Sequence, residues 1–457
     1  MPIPVTRNQD IELDITALGS EGQGIGRFSG YAVFADGAIP GERISAKVIK
    51  TGSSFGVAKL TRIISPSKER TTPRCPYYGR CGGCALQHMA YDAQLCYKTR
   101  LVKDALSRIG GFADPEVLPA IGMDEPWRYR NKAAFPAVQT EKGIGFGMFA
   151  ARSHRIVPVS DCLIQNAAGT LAMRAVEAWA EECGLKGYDE ATGRGELRHV
   201  ITRTSTAGKT MVSVVTTGSL PRPERLVDLL QKGVPGFTSL VHNINRERTN
   251  VITGERFRVV WGEDALTETL CGLDYSVSAE SFLQVNPVQT ETLYSKAVGF
   301  ADIGPSDTVL DLYCGIGTLT LAAAKLAKEA IGIEIVQRAI ENARDNAAKN
   351  GVFNARFICG AAEQVLPELV REEKMKPETV LLDPPRKGCE AGVIEAIAKT
   401  GAKKVVYVSC NPATLARDCA LLAEKGFSFV KAQPVDMFPQ TPHVECVILM
   451  SRTGKQG

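Results

Sequence analysis

The sequence predicts an α/β protein whose C-terminal part is a doubly wound, Rossmann-like sheet. From about residue 270, apolar strand-like runs alternate with helical segments, which is typical of a parallel sheet covered by helices on both faces. Residues 5–65 instead carry short alternating strands separated by glycines, which indicates a small OB-like β-barrel. The stretch between them mixes helices and strands. We therefore expect a barrel over 1–66, an α+β central domain over 67–267 and the doubly wound domain over 268–457.

Composition sets broad limits on the class of protein. The chain has 457 residues, of which 44% are hydrophobic and 23% charged, as in globular proteins. A net charge of +4 permits a nucleic-acid partner without requiring one. We find neither the apolar core of a signal peptide nor a run of about 18 apolar residues, so we expect a cytoplasmic protein with no membrane contact. In that compartment the 13 cysteines indicate metal binding or catalysis rather than disulfides.

The first block has the pattern of a nucleic-acid-binding barrel. Apolar and polar residues alternate over Asp10–Ala17, and further strands are predicted at Tyr31–Phe34, Arg43–Lys50 and Phe55–Ile64. Basic residues lie in or beside these strands: Lys47, Lys50, Lys59 and Arg62. We expect the barrel to bind RNA. The alternative is a solvated β-domain without a ligand.

A cysteine cluster follows the barrel. Cys75, Cys81 and Cys84 have C-x5-C-x2-C spacing, and the glycines between the last two let the loop curl around one centre. Cys162, in a predicted loop, is the candidate for a fourth ligand. Zinc sites usually pair two C-x2-C knuckles, so this spacing favours an iron–sulfur cluster, which we expect to be of the [4Fe–4S] type and structural. Zinc and inert thiols are the alternatives.

The central region offers one candidate RNA contact. A helix is predicted over Tyr91–Ile109, and beyond it a strand beginning at Trp127 would present Arg128, Arg130 and Lys132 on one face. Such a cationic strip attracts phosphates. The alternative is an ordinary solvated strand face, and residues 170–265 contain no chemical motif.

A glycine-rich turn opens the doubly wound domain. The strand Thr308–Leu312 leads into Tyr313-Cys314-Gly315-Ile316-Gly317, and Glu334 ends the next strand, where a carboxylate can accept hydrogen bonds from a ribose. A nicotinamide cofactor would suit a similar arrangement, but the full G-x-G-x-x-G is absent. The position of Asp311 inside the strand, and the later Asp383-Pro-Pro-Arg run, resemble enzymes that use S-adenosylmethionine.

Cys410 lies where a buried strand, Lys403–Tyr407, gives way to a loop and a helix. That edge of an open α/β sheet is where ligands bind, so the thiol is placed to act as a nucleophile. Val444–Ser451 is predicted as the last strand, and if it is antiparallel its start brings Glu445 to the same edge. The alternatives are a buried packing thiol, a surface carboxylate, and Cys389 as a rival nucleophile.

Five segments together resemble the RNA uracil-C5 methyltransferase family, and the resemblance extends over essentially the whole chain. They are Phe282–Pro287, Asp311–Gly317, Asp383–Gly388, Ser409–Pro412 and the segment around Glu445. The N-terminal block resembles a TRAM domain, and with the cysteine cluster it is similar to the ribosomal-RNA branch of the family. The resemblance implies that Gln284, Tyr313, Glu334 and Asp383 bind S-adenosylmethionine, that Cys410 is the nucleophile and that Glu445 is the base.

The implied reaction transfers a methyl group to C5 of a specific uridine in large-subunit ribosomal RNA through a covalent adduct between Cys410 and C6. Covalent addition activates C5, which is otherwise a poor nucleophile. Phe282 would stack on the flipped base. The alternatives are the same chemistry on transfer RNA, and an RNA-binding protein without catalysis. We expect a monomer.

Overall fold

The computed structural model describes residues 3–141, 143–372 and 375–452. Its N-terminal part is a closed barrel with the strand order β1-β2-β3-β5-β4, which confirms the predicted barrel. The strands are β1 (Asp10–Leu18), β2 (Gly24–Phe28), β3 (Tyr31–Asp36), β4 (Arg43–Thr51) and β5 (Phe55–Ser65). Glycines permit close packing of β2, because a Cβ at Gly24 would lie 2.7 Å from the Ala38 carbonyl oxygen.

The central part is built on a sheet with the order β12-β11-β10-β9-β6-β7-β8. Helix α1 (Tyr91–Arg108) precedes it. The strands are β6 (Lys132–Thr140), β7 (Gly143–Phe149), β8 (Ile156–Pro158), β9 (Leu197–Thr204), β10 (Thr210–Thr216), β11 (Phe237–Ile244) and β12 (Arg256–Gly262). Helices α2 (Ala167–Glu182) and α3 (Pro223–Gly233) pack against this sheet around the fully buried Trp179.

The predicted strand face of Arg128, Arg130 and Lys132 is wrong. Strand β6 begins only at Lys132, and Arg128 has a positive φ of 54°. A residue in that conformation turns the chain, so the three side chains do not share one pleated face.

The C-terminal part is the predicted doubly wound sheet, with the order β17-β16-β15-β18-β19-β21-β20. The strands are β15 (Thr308–Leu312), β16 (Glu329–Glu334), β17 (Ala355–Cys359), β18 (Thr379–Leu382), β19 (Lys404–Ser409), β20 (Phe427–Val435) and β21 (Glu445–Arg452). Strands β15 to β19 run parallel, whereas β21 is antiparallel to both of its neighbours. The predicted antiparallel last strand is therefore confirmed.

Helices cover both faces of this sheet, which explains its nearly continuous apolar strands. They are α4 (Pro287–Ala301), α5 (Thr318–Ala324), α6 (Gln337–Lys349), α7 (Ala362–Glu372), α8 (Ala391–Thr400) and α9 (Pro412–Glu424). The hairpin of β13 (Ala265–Leu270) and β14 (Leu273–Ser278) packs against α6. Helix α1 contributes Val102 and Leu106 to the core of this sheet, although its sequence lies in the predicted central domain. Among the described helices, none is long and apolar enough to cross a membrane.

Candidate active site

The turn after β15 folds back over the end of β16. Tyr313 and Cys314 donate their backbone N–H groups to the carbonyl oxygen of Ile333 at 2.9 and 3.0 Å. The Gly315 N–H donates to Glu334 Oε2 at 3.2 Å. Gly315 and Gly317 have φ of 54° and 84°, and a Cβ at Gly315 would meet open space. The glycine turn and the predicted ribose-binding carboxylate therefore meet at one edge of the sheet.

Acidic side chains line this edge. Asp311 is buried; its Oδ2 accepts a hydrogen bond from Thr320, while its Oδ1 has no hydrogen-bond partner. Burial, together with the charges of Asp383 and Glu334, raises the pKa of Asp311 to about 7. Burial also raises the pKa of Asp383, at the end of β18, to about 7. An acid-rich recess with an unpaired oxygen fits a ligand that carries a positive charge and hydroxyl donors, as S-adenosylmethionine does.

Apolar and aromatic groups stand beside these acids. Ile335 and Val336 follow Glu334 and are 65% and 53% exposed. Tyr313 is half-buried against the core that contains Cys389, and burial raises its pKa far above the ordinary value. These surfaces could cover the flat ring of a nucleoside.

The segment with Phe282 and Gln284 is fixed from two sides. Asn131 donates its backbone N–H to the Val285 carbonyl at 2.8 Å and its amide to the Gln284 carbonyl at 3.4 Å. Asn286 caps helix α4 and donates its side-chain amide to the Met437 carbonyl at 3.0 Å. Phe282 itself is 74% exposed, so its ring is free to contact a base.

Cys410 and Glu445 come together through the register of the sheet. Ser409 pairs with Cys446 across β19 and β21, so the next residues at this edge are Cys410 and Glu445. Burial raises the pKa of the Cys410 thiol to about 11; the charge of Glu445 acts in the same direction and that of Arg386 opposes it. Burial, and then the charge of Asp383, raise the pKa of Glu445 well above the ordinary carboxyl value. The thiol, the carboxyl group and Asp383 thus interact electrostatically at one place.

The loop that carries Cys410 is held against the Asp383-Pro-Pro-Arg386 segment. Asn411 caps α9 and donates its side-chain amide to the Arg386 carbonyl at 3.1 Å. Ser409 Oγ accepts the Asn411 N–H at 3.1 Å. These bonds fix the turn in which the thiol lies.

The rival cysteines belong to the core. Cys389 is 5% exposed, lies in the cluster beneath α8 and α9, and donates its N–H to Asp418 at 2.8 Å. Cys314 is 6% exposed and packs beside Gly332. Both thiols are buried, whereas Cys410 is partly exposed at the sheet edge.

Arg386 is a site residue that the sequence analysis did not single out. Its positive charge opposes the rise that burial causes in the pKa of Cys410 and of Glu445, and it adds to the lowering that burial causes in the pKa of the His443 imidazole. The only signal was its place at the end of the Asp-Pro-Pro-Arg run. The positive charge of Arg386 thus acts on the pKa of both predicted catalytic groups, Cys410 and Glu445.

The predicted RNA-binding cations lie in the central part, and Arg128 is tied to neighbours there. Arg128 makes a bidentate ion pair with Asp161, with Nη1–Oδ1 at 2.7 Å and Nη2–Oδ2 at 2.6 Å. Its Nη1 also donates to the Cys162 carbonyl. Burial lowers the pKa of Lys132 to about 8, and the charge of Arg203 acts in the same direction. Arg130 is within electrostatic reach of His443. Arg130 is therefore the member of this set with a link to the site of Cys410.

The four predicted cluster cysteines lie within electrostatic reach of one another. Burial raises the pKa of Cys84 to about 12, and the charges of Cys162, Cys81 and Cys75 add to the effect. Burial also raises the pKa of Cys162, again with contributions from Cys81 and Cys75. However, across the described part of the chain no group of three or more cysteine, histidine or acidic side chains has the arrangement of a metal site. The residue types fit an iron–sulfur cluster and the geometry does not, so the cluster stays a prediction.

The strand order, the glycine turn and the acidic sheet edge define an S-adenosylmethionine-dependent methyltransferase. Residues 241–453 match the family described as tRNA (uracil-5-)-methyltransferase, and residues 4–61 match the TRAM domain. The chain belongs to the RNA uracil-C5 methyltransferase family.

Full-length relatives agree with this assignment. The chain is 44% identical to an uncharacterized RNA methyltransferase of Halalkalibacterium halodurans, over 98% of both chains. It is 43% identical to one of Clostridium tetani, over 99% of this chain and 98% of that one. A solved structure, the Pyrococcus abyssi tRNA (uracil-54, C5)-methyltransferase in complex with S-adenosyl-L-homocysteine, is 28% identical with a TM-score of 0.78. That match covers 96% of this chain and 100% of the other.

Proposed function

We propose that the protein methylates C5 of a specific uridine in large-subunit ribosomal RNA through a covalent adduct with Cys410. The observation that carries the proposal is the antiparallel register that sets Glu445 opposite Cys410, beside Asp383. A nucleophile within reach of C6 and a base within reach of C5 of the same pyrimidine are what C5 methylation requires.

In the proposed reaction the Cys410 thiolate adds to C6 of the uracil. The Sγ–C6 bond forms, and the electron pair of the C5–C6 double bond moves toward C5 and O4 as an enolate. S-adenosylmethionine, when bound, supplies the electrophilic methyl group that C5 takes up; the S–CH3 bond breaks, its electron pair stays on sulfur, and S-adenosylhomocysteine is the leaving group. Glu445 then accepts the C5 proton, the C5–C6 double bond re-forms, and the Sγ–C6 bond breaks to return the thiolate.

In the free protein the Cys410 thiol holds its proton at neutral pH, since burial raises its pKa to about 11, and burial also raises the pKa of Glu445 above the ordinary carboxyl value. Arg386 acts against this, because its positive charge favours the thiolate and the carboxylate. We propose that Arg386 keeps the two ionised forms accessible once the substrate is bound.

We propose that Gln284, Tyr313, Glu334 and Asp383 bind S-adenosylmethionine. The support is the unpaired Asp311 oxygen beside them, the open space over Gly315 and the exposed apolar pair after Glu334. Phe282, being 74% exposed, would stack on the flipped uracil.

Transfer RNA is the second candidate substrate. The matched family and the Pyrococcus abyssi enzyme both carry it in their descriptions. Because that enzyme matches along its whole length, domain layout does not separate the two substrates. The ribosomal proposal relies on the resemblance of the barrel and cysteine cluster to the ribosomal branch.

The test is to map 5-methyluridine in ribosomal and transfer RNA from cells with and without the gene. In parallel, tritium release from C5-labelled RNA is measured with the purified protein. Loss of one ribosomal mark supports the proposal, and loss of a transfer-RNA mark moves it to the second candidate. Unchanged maps and no tritium release would leave an RNA-binding protein.

We further propose that Cys75, Cys81, Cys84 and Cys162 hold an iron–sulfur cluster with a structural role. The support is the residue types and their spacing, and that the charges of Cys75 and Cys81 act on the pKa of both Cys84 and Cys162. Protein purified without oxygen should contain iron and sulfide and absorb visible light, and Cys84→Ser should lose all three. Zinc, or no metal, in wild-type protein would overturn it. The predicted monomeric state and cytoplasmic location stay predictions.

A further inference from the structure

The loop between β20 and β21, residues 436–444, is held by side chains of both the central and the C-terminal part of the chain. The backbone carbonyls of its first four residues, 436–439, each accept a hydrogen bond from a side chain outside the loop. Gln289 donates to Asp436, Asn286 to Met437, Lys98 to Phe438 and Tyr129 to Pro439, at 3.0 to 3.1 Å. Glu445 follows this loop directly.

Gln440 is the turning point of the loop. It is 3% exposed and has a φ of 70°, a conformation that residues other than glycine adopt only when their surroundings impose it. The backbone N–H of Gln440 donates to Gln94 Oε1, and Gln94 Nε2 donates back to Gln440 Oε1, both at 3.1 Å. The two amides therefore form a reciprocal pair that imposes the turn.

Gln94 and Gln440 also join the loop to the segment that follows the cysteines. The N–H groups of Ala85 and Leu86 both donate to the Gln440 carbonyl at 3.0 Å. Gln94 Nε2 donates as well to the carbonyls of Leu86 and Met89, at 3.1 and 2.9 Å. Gln94 is 1% exposed, so each of these bonds is shielded from water.

Between Gln440 and Glu445 the chain has little freedom to absorb a shift. Thr441 donates its hydroxyl to the Phe438 carbonyl at 2.8 Å, and the His443 N–H donates to that hydroxyl at 3.3 Å. Val444 is 1% exposed. A change in the turn at Gln440 therefore reaches Glu445 through a short, packed path.

We propose that Gln94 and Gln440 are positioning residues for the base of the methylation reaction: their amide pair sets the place of Glu445 relative to the C5 proton. This rests on the proposed function. Cys410 is on a different element, held by Ser409, Asn411 and Arg386. Loss of the amide pair should therefore slow proton removal from C5 more than formation of the adduct with C6.

The test compares two steps in single-turnover experiments with substrate RNA. Gln94→Leu removes the amide at similar volume, and Gln440→Gly keeps the turn while removing the side chain. We expect adduct formation, followed on denaturing gels, to change little. Release of methylated RNA should fall about tenfold to a hundredfold, as misplacement of a catalytic group does. The isotope effect of 5-deuterated uridine on release should increase in both variants.

Asn243→Leu is the matched control. Asn243 is a fully buried amide that donates to the carbonyls of Gly254 and Arg256, and it lies on β11, away from the β20–β21 loop. The Asn243→Leu variant should lose stability, but its isotope effect on release should not increase.

Two outcomes would overturn the inference: adduct formation and release falling by the same factor, or an isotope effect equal to that of wild type. Should Gln94→Leu not fold, Gln440→Gly alone decides. Failure of the proposed function is distinguishable, since wild-type protein would then form no adduct with either RNA.

Discussion

Ser409 lies opposite Cys446 on the last paired rung of β19 and β21. Because β21 is antiparallel, the residue that precedes Cys446 comes to the same edge as the residue that follows Ser409. The sheet therefore brings together a thiol and a carboxyl group that are 35 positions apart in the printed sequence (Cys410 and Glu445). The predictions below depend on this juxtaposition and on the groups around it.

Replacing the thiol should remove the covalent step. Cys410→Ala is expected to lower methylation by at least about a thousandfold, the scale seen when a nucleophile is lost, and to form no adduct that survives denaturation. Cys359→Ala is the control, because Cys359 also ends a parallel strand of this sheet but is exposed. Methyl transfer at the wild-type rate by Cys410→Ala would show that Cys410 is not the nucleophile.

Replacing the carboxyl group should trap the reaction after addition. Glu445→Gln keeps the shape of the side chain but cannot take the C5 proton, so the protein–RNA adduct should accumulate. A denaturing gel with labelled RNA measures it. Rapid turnover by this variant without accumulation of adduct would remove Glu445 as the base.

Alkylation of Cys410 in the free protein should depend steeply on pH. Its pKa is raised to about 11, so the thiolate fraction should grow about tenfold per pH unit between pH 7 and 10. Arg386→Gln should move the profile to higher pH, because the guanidinium favours the thiolate. Lys387→Ala, at the exposed neighbouring position, should leave it in place. The measurement is the rate of iodoacetamide labelling of the Cys410 peptide against pH, read by mass spectrometry. A labelling rate that does not change above pH 7 would contradict the prediction.

Binding of S-adenosylhomocysteine should release protons near neutral pH. The pKa of Asp383 is raised to about 7, so at pH 6 most of the free protein carries that proton. If the carboxylate is the form that binds, affinity should rise as pH increases toward 7 and level off above it. Calorimetry in two buffers of different ionisation enthalpy measures the proton count. Asp383→Asn should weaken binding and reduce the release, whereas proton uptake by wild type would contradict the assignment.

The buried ion pair of Lys98 and Asp436 should be costly to break. Both side chains are fully buried, and Tyr91 donates to the same carboxylate at 2.8 Å. Lys98→Met leaves that carboxylate without its cation and should lower the free energy of unfolding by about 3–5 kcal/mol in urea denaturation. The double variant Lys98→Met, Asp436→Asn should regain part of the lost free energy of unfolding. Lys103→Met, which breaks an exposed pair, should change it little.

Local sequence patterns predicted most of the elements. The strand Thr308–Leu312 has the predicted bounds, since a short apolar run before a glycine turn forms a buried strand. The pattern failed before β6, where the positive φ of Arg128 turns the chain without a glycine to indicate it. It also could not say that α1 packs on the C-terminal sheet, because periodicity identifies an apolar face but not the core that it joins.

The site was partly predictable for a topological reason. Once the last strand is taken as antiparallel, the meeting of Cys410 and Glu445 follows from the order of strands. Arg386 was visible only as the end of a motif. The pairing of Gln94 with Gln440 was not predictable, since the two amides are 346 positions apart and neither lies in a motif.

The separation of Lys98 from Asp436, 338 positions along the chain, has a consequence for synthesis on the ribosome. An emerging polypeptide exposes the lysine long before its counter-ion has been translated, so the ion pair between α1 and Asp436 cannot form until the loop after β20 has been made. Glu445, the proposed base, is added still later. Truncated messages, or ribosomes that stall before β21 is translated, would thus yield fragments unable to modify any nucleotide. Methylation activity would be gained only when this last strand of the sheet has been made.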